Sequence, residues 1–118
     1  MYSRGVIATF AVFNLCAAAA AHAESCPAVR DKQPLVSVDL FDGPVEDMAD
    51  LVPDASTDSK YHAHASWKLG YIYDSGHAVY VKCVYRGAKD ALIVKLDRQV
   101  ENCVFDRTKD KPASLTCK

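Results

Sequence analysis

Hydrophobic and polar positions alternate most regularly over residues 79–86, Val-Tyr-Val-Lys-Cys-Val-Tyr-Arg. β-Branched and aromatic side chains, no Gly or Pro, and a turn signal at each end mark this stretch as a strand. A period of two puts Val79, Val81, Cys83 and Tyr85 on one face, and Tyr80, Lys82, Val84 and Arg86 on the other. Its apolar face makes it a central strand, and Cys83 there is placed to tie another part of the chain to the core.

Upstream, residues 24–33 read as an N-terminal arm, and Pro34 introduces a first strand over 35–41. There Val36, Val38 and Leu40 share one face, and Leu35, Ser37, Asp39 and Phe41 the other. Pro44 suits the first position of a helix, with Asp42 or Gly43 as cap and Glu46 and Asp47 at the positive end of the dipole. Val45, Met48, Ala49 and Val52 recur at helical spacing, so a short helix is expected from about Pro44 to Leu51, ended by Pro53. Residues 53–60 form a polar loop. Over 66–73, Trp67, Leu69, Tyr71 and Tyr73 share a face, and this strand is expected to form an antiparallel hairpin with 79–86. A third strand of the meander follows at 92–96, and two shorter pieces at 100–106 and 114–118 each carry a cysteine. The expected fold is α+β: a small antiparallel β-sheet of four to five strands with one short helix.

The first residues change the picture of where this domain folds. Arg4 supplies one positive charge, residues 5–21 carry none, and Ala21-His22-Ala23 is an A-x-A exit. These are the three parts of a secretory signal peptide, dividing the chain into residues 1–23 and a single domain at 24–118. The apolar stretch falls short of the roughly 20 residues that span a bilayer, so no membrane anchor is expected after cleavage. Cys16 follows the bulky run Phe13-Asn14-Leu15 and is assigned to the removed peptide rather than to lipid attachment. A periplasmic or secreted location follows.

Cys26, Cys83, Cys103 and Cys117 remain, and four cysteines in a small exported domain imply two disulfides with three possible connectivities. A four-thiolate zinc site would show closely paired cysteines, whereas these lie 57, 20 and 14 positions apart. Cys103 and Cys117 sit on neighbouring short strands, which favours a local pair and leaves Cys26 for Cys83. The fold is therefore disulfide-stapled.

Charge is unevenly spread. No basic residue lies between Lys32 and Lys60, where Asp39, Asp42, Glu46, Asp47, Asp50, Asp54 and Asp58 are all acidic. This is either a solvated face or a patch that meets a basic protein partner. Nucleic acid is excluded as a partner, because no basic run is interleaved with aromatics. His62-x-His64 is the sharpest chemical signal. In an extended segment both imidazoles project to one side, as two ligands of one metal must, and His77 or an acidic residue would supply a third. Two exposed histidines on a polar edge are the simpler account. Catalysis finds little footing: there is no G-x-S-x-G elbow, and Ser66 and Ser75 have no His–Asp pair suggested by spacing. The carboxylates Asp42, Glu46, Asp47 and Asp50 cluster on or beside one short helix, as solvated faces do. Trp67, Tyr71, Tyr73, Tyr80 and Tyr85 read first as core rather than as a ligand-stacking surface. No cofactor is expected.

Several features resemble a family of small secreted, four-cysteine bacterial proteins of unassigned function. They are Cys26-Pro27, Leu40-Phe41-Asp42-Gly43-Pro44, Leu51-Val52-Pro53-Asp54, Trp67 with Leu69, Val81-Lys82-Cys83-Val84-Tyr85, Val100 with Cys103, and Cys117. The resemblance implies no catalytic residues, and the segment Tyr61-His62-Ala63-His64 departs from its pattern. The combined reading is an exported, non-catalytic binding protein of the inhibitor or immunity type, directed at an envelope-acting enzyme. Contacts are expected from Asp42, Glu46, Asp47, Asp50 and Asp54, or from loops such as 74–77. The alternative is an envelope accessory protein that binds a metal or small ligand through His62 and His64.

Overall fold

The computed structural model describes residues 25–118, so the expected signal peptide at 1–23 lies outside the described residues. Strands β1 (Val29–Arg30) and β2 (Gln33–Asp42) are joined by a two-residue turn in which Asp31 and Lys32 both have positive φ, 52° and 68°. That backbone twist suits a tight hairpin. The chain continues through β3 (Ala55–Asp58), β4 (His62–Lys68), the one-turn helix α1 (Gly70–Asp74), β5 (Val79–Tyr85), β6 (Leu92–Leu96), β7 (Asn102–Thr108) and β8 (Lys111–Cys117). These strands form two four-stranded antiparallel sheets, ordered β1-β2-β5-β6 and β3-β4-β7-β8. The α+β expectation of a single sheet with four to five strands is therefore wrong: among the described residues the fold is nearly all β, with eight strands in two sheets.

Three local readings account for the error. The helix expected over 44–51 is reduced to a single 3-10 turn, Val45–Asp47, ended by Met48 in the left-handed region at φ 58°. Backbone groups that a helix needs are instead bonded to β2: Leu51 N–H donates to Leu40 O at 2.7 Å and Asp42 N–H to Ala49 O at 2.9 Å. Nucleating a short helix costs several fixed residues for its first bond, and pairing with a formed strand edge avoids that cost. The strand expected over 66–73 stops at Lys68, because Leu69 turns the chain into α1 and donates its N–H to Glu101 O at 2.8 Å. Leu69 and Ile72, 0% and 1% exposed, are the core residues of this turn, while Tyr71 points out at 59%. The helix re-aims the chain, so β4 joins β3 and β7, and β5 joins β2 and β6. The expected β4–β5 hairpin does not form. Finally, the polar loop at 53–60 contains β3, a fully exposed edge strand held to β4 by backbone pairing.

Elsewhere alternation and burial agree. Val79, Val81, Cys83 and Tyr85 are all buried, and the intervening residues of β5 are half-buried. In β2 a register shift between Leu35 and Ser37 changes the face assignment, so Leu35 joins Val38 and Leu40 in the core. One apolar cluster runs between the sheets, drawing Val81 and Leu96 from the first and Trp67, Phe105 and Leu115 from the second. Each fully buried Val, Leu or Ile contributes ~1.5–3 kcal/mol by leaving water.

Cys26 bonds Cys83 across a separation of 57 residues, and Cys103 bonds Cys117 across 14. The first pins the N-terminal arm to β5, and the second links directly opposed residues of β7 and β8. Beside the first bond, buried Tyr85 donates its hydroxyl to Pro27 O at 2.6 Å, with the Arg30 guanidinium carbon 5.9 Å from its ring centre. Burial pushes the Tyr85 phenol above its ordinary pKa, and Arg30 partly opposes that rise.

Two outcomes are expected. In the chain-entropy description, closing loops of 57 and 14 residues stabilises by about 4 and about 3 kcal/mol. Urea unfolding of the two paired Cys→Ala variants is expected to rank them in that order, and the reverse ranking would show that the longer bond does not organise the fold. Tyr85→Phe is expected to cost about 1 kcal/mol at neutral pH through the lost hydrogen bond. An unfolded tyrosine ionises near pH 10 and the folded one higher, so the wild-type advantage is full below that pH and fades as pH rises through the folded value. Unfolding at pH 7 and pH 11 tests this; a constant gap between the two proteins would contradict it.

Candidate functional site

Inward-facing side chains are spent on the core, which leaves two outer sheet faces to carry any recognition. Register across β2, β5 and β6 lines up Phe41, Tyr80 and Lys95 in one row of the first sheet, and Asp39, Lys82 and Ile93 in the next. The segment between β2 and β3 folds over this face. Its corner is set by Gly43 at φ 91°, whose N–H donates to Ala78 O at 2.9 Å. Under it Phe41 is covered to 8% exposure, although it belongs to the outer face. Met48 at 79% and Ile93 at 46% remain exposed.

Two hollows open on this face, one on each side of the 3-10 turn. The first, about 230 Å³, is lined by Asp42, Pro44, Asp47, His77, Tyr80 and Lys95 among others. The second, about 320 Å³, is lined by Asp39, Phe41, Val45, Met48, Asp50 and Lys82. His77 Nδ1 lies 2.8 Å from Asp42 Oδ1 and closes one rim. Lys95 reaches over the Tyr80 ring at 6.0 Å and lies 4.0 Å from Asp97. The face thus combines aromatic and thioether surface with charges of both signs.

Four of the five acidic residues singled out by sequence, Asp42, Glu46, Asp47 and Asp50, lie on or beside the turn that overhangs this face. Asp54 does not. It accepts the Lys68 backbone N–H at 2.6 Å and its own N–H donates to Ser66 O at 2.8 Å, which fastens the entry of β3 to the end of β4. Cys26, Cys83, Cys103 and Cys117 are all committed to disulfides. Of the aromatic set, Trp67 and Tyr85 are buried; Trp67 donates its indole N–H to Leu51 O at 3.1 Å, and Tyr73 donates to Leu96 O at 3.2 Å. Tyr80 is the member that reaches the outer face.

On the second sheet, strand β4 carries His62 and His64 to the same outer face. Opposite His64 in the register stands Asp106 of β7. His62 Nε2 and His64 Nδ1 approach the same Asp106 Oδ1, at 3.0 and 3.3 Å, and the two ring centres are 6.3 Å apart. Hydrogen bonds from His62 and then His64 hold the Asp106 carboxyl below the ordinary carboxylate range. One donor atom from each of the three residues lies within 4.8 Å of the others, spacing compatible with a shared metal ion. His77, the other histidine considered as a third ligand, is bound to Asp42 of the first sheet instead. Asp106 escaped the sequence reading because it lies 42 residues beyond His64, and only the β4–β7 register brings them together.

Compared with curated proteins and with solved structures, the chain matches none. A protein-family model does match, over residues 30–118, starting just after Cys26-Pro27. That family carries a named role where the sequence resemblance implied none. With most of the chain spanned by the match, including both outer faces, this protein belongs to the Type VI secretion system Tli immunity protein family, and it is an immunity-type binding protein.

Proposed function

We propose that this protein is exported, and that it neutralises an envelope-acting effector enzyme by non-catalytic binding through the outer face of the first sheet. The observation that carries the choice of face is its make-up: exposed Met48 and Ile93 beside Tyr80, ringed by Asp39, Asp47, Asp50, Lys82 and Lys95. Aromatic residues and Met are enriched in interfaces, whose rims are polar. Thioethers adapt to irregular partner surfaces, and Tyr commonly anchors binding. A sheet whose strand β5 is tied by a disulfide to the N-terminal arm has little left to order on binding, which lowers the cost of association. Export is supported by the charged, apolar and A-x-A sequence of residues 1–23 and by two disulfides, which persist in oxidising compartments. The acidic residues over 42–50 suit a basic effector surface and act mainly on the rate of encounter.

Binding of the effector to untagged protein from the periplasmic fraction, whose intact mass is expected to start at Glu24, tests the reading. Tyr80→Ala or Met48→Ala is expected to weaken binding roughly 30-fold, the equivalent of about 2 kcal/mol. Asp47→Lys is expected to slow association at low salt with little change in dissociation. Thr57→Ala on the second sheet is the control. Wild-type affinity in both first-face variants, each folded by circular dichroism, would overturn the choice of face. Effector inhibition that persists when no complex forms would overturn the binding mechanism.

A further inference from the structure

We propose that His62, His64 and Asp106 bind a divalent ion of the Zn(II) or Cu(II) class on the outer face of the second sheet. This site is separate from the effector-binding face and does not depend on that assignment. Metal–ligand distances of about 2.0–2.2 Å for His nitrogen and carboxylate oxygen place neighbouring ligands of a tetrahedral site about 3.3 Å apart. Asp106 Oδ1 lies 3.0 Å from His62 Nε2 and 3.3 Å from His64 Nδ1, and all three atoms lie within 4.8 Å of one another. An ion can therefore enter with small side-chain rotations and no change of backbone.

The backbone fixes the set. His62 and His64 are two residues apart on one strand, and Asp106 is the direct cross-strand partner of His64, so the three share a face by register alone. β4 and β7 are the interior strands of their sheet, paired on both sides, which holds the ligands on rigid elements. Flanking positions in the same row are Thr57 on β3 and Ser114 on β8, neither of which brings a competing charge. Two imidazoles and one carboxylate favour Zn(II), Cu(II) or Ni(II), while Mg(II) and Ca(II) prefer all-oxygen sets. With the three side chains 40–50% exposed, the remaining coordination position faces solvent and takes water or a group from another molecule. A bound ion would bridge the central strand pair and stabilise the folded state by an amount that grows with the logarithm of free ion concentration above Kd.

The test uses untagged, oxidised, chelator-treated protein titrated calorimetrically with ZnCl2, CuCl2 and MgCl2. One Zn(II) or Cu(II) per chain is expected, with no Mg(II) heat, and Cu(II) is expected to show nitrogen coupling from two imidazoles in its paramagnetic resonance spectrum. His64→Ala and Asp106→Asn are expected to weaken binding by roughly tenfold or more, while His77→Ala leaves it unchanged. All three positions are solvent-facing, and circular dichroism verifies that each variant folds. Binding that survives in His64→Ala and Asp106→Asn would overturn the site. So would an absence of Zn(II) and Cu(II) binding at 100-fold molar excess, which would leave the cluster as hydrogen bonds alone.

Discussion

Everything outward-facing in this protein depends on how β5 is held. Its alternate residues Val79, Val81, Cys83 and Tyr85 are buried, β2 and β6 pair with it on either side, and the Cys26–Cys83 bond anchors the N-terminal arm to it. A domain of this size buries too little apolar surface to be comfortably stable by packing alone. A cross-link spanning 57 residues removes chain entropy from the unfolded state where the loop to be closed is longest. Tyr85 reinforces the same corner by its bond to Pro27. With the inner face secured in this way, the outer residues of β5 are free to vary in chemistry at little cost to folding.

The two outer faces differ in kind. The first sheet offers Tyr80, Lys82, Ile93 and Lys95 on rigid strands, overhung by a turn bearing Met48 and carboxylates. That is the composition of a protein interface. The second offers converging imidazoles and a carboxylate, with small hydroxyl residues on either side. That is the composition of an ion site. One scaffold thus presents two chemistries on opposite sides of a shared core, and neither draws on the residues that hold the other.

How much of this was legible in the sequence follows from where each signal resides. Strand β5 announces itself because burial falls on every second residue, while β2 and β6 show as runs rich in Val, Leu and Ile between turn residues. β3 is silent, since all of its residues are exposed and it is held by backbone bonds to β4 and an Asp58–Arg107 ion pair rather than by burial. α1 was concealed by an accidental alternation: Trp67, Leu69, Tyr71 and Tyr73 read as one strand face, while the pair that is buried in the turn is Leu69 and Ile72, three apart. That misreading also hid the second sheet, because only the turn at α1 sends β4 and β5 to different layers. The acidic stretch was visible as composition, but its contact with Phe41 and β2 rests on non-local bonds such as Leu51 to Leu40. The pair His62 and His64 was legible because strand geometry alone aligns i and i+2. Asp106 was not, because register between distant strands is set by the whole sheet.

The central claim is that the outer face of the first sheet, held by β5 and its disulfide, is where the effector docks. Hydroxyl-radical footprinting of the free protein and of the effector complex tests it directly, because Met and Tyr side chains are reactive and are distributed over both sides. The account predicts that Met48 and Tyr80 lose reactivity in the complex while Tyr61, exposed beside β4, keeps it. Protection of Tyr61 with Met48 and Tyr80 unchanged would contradict it.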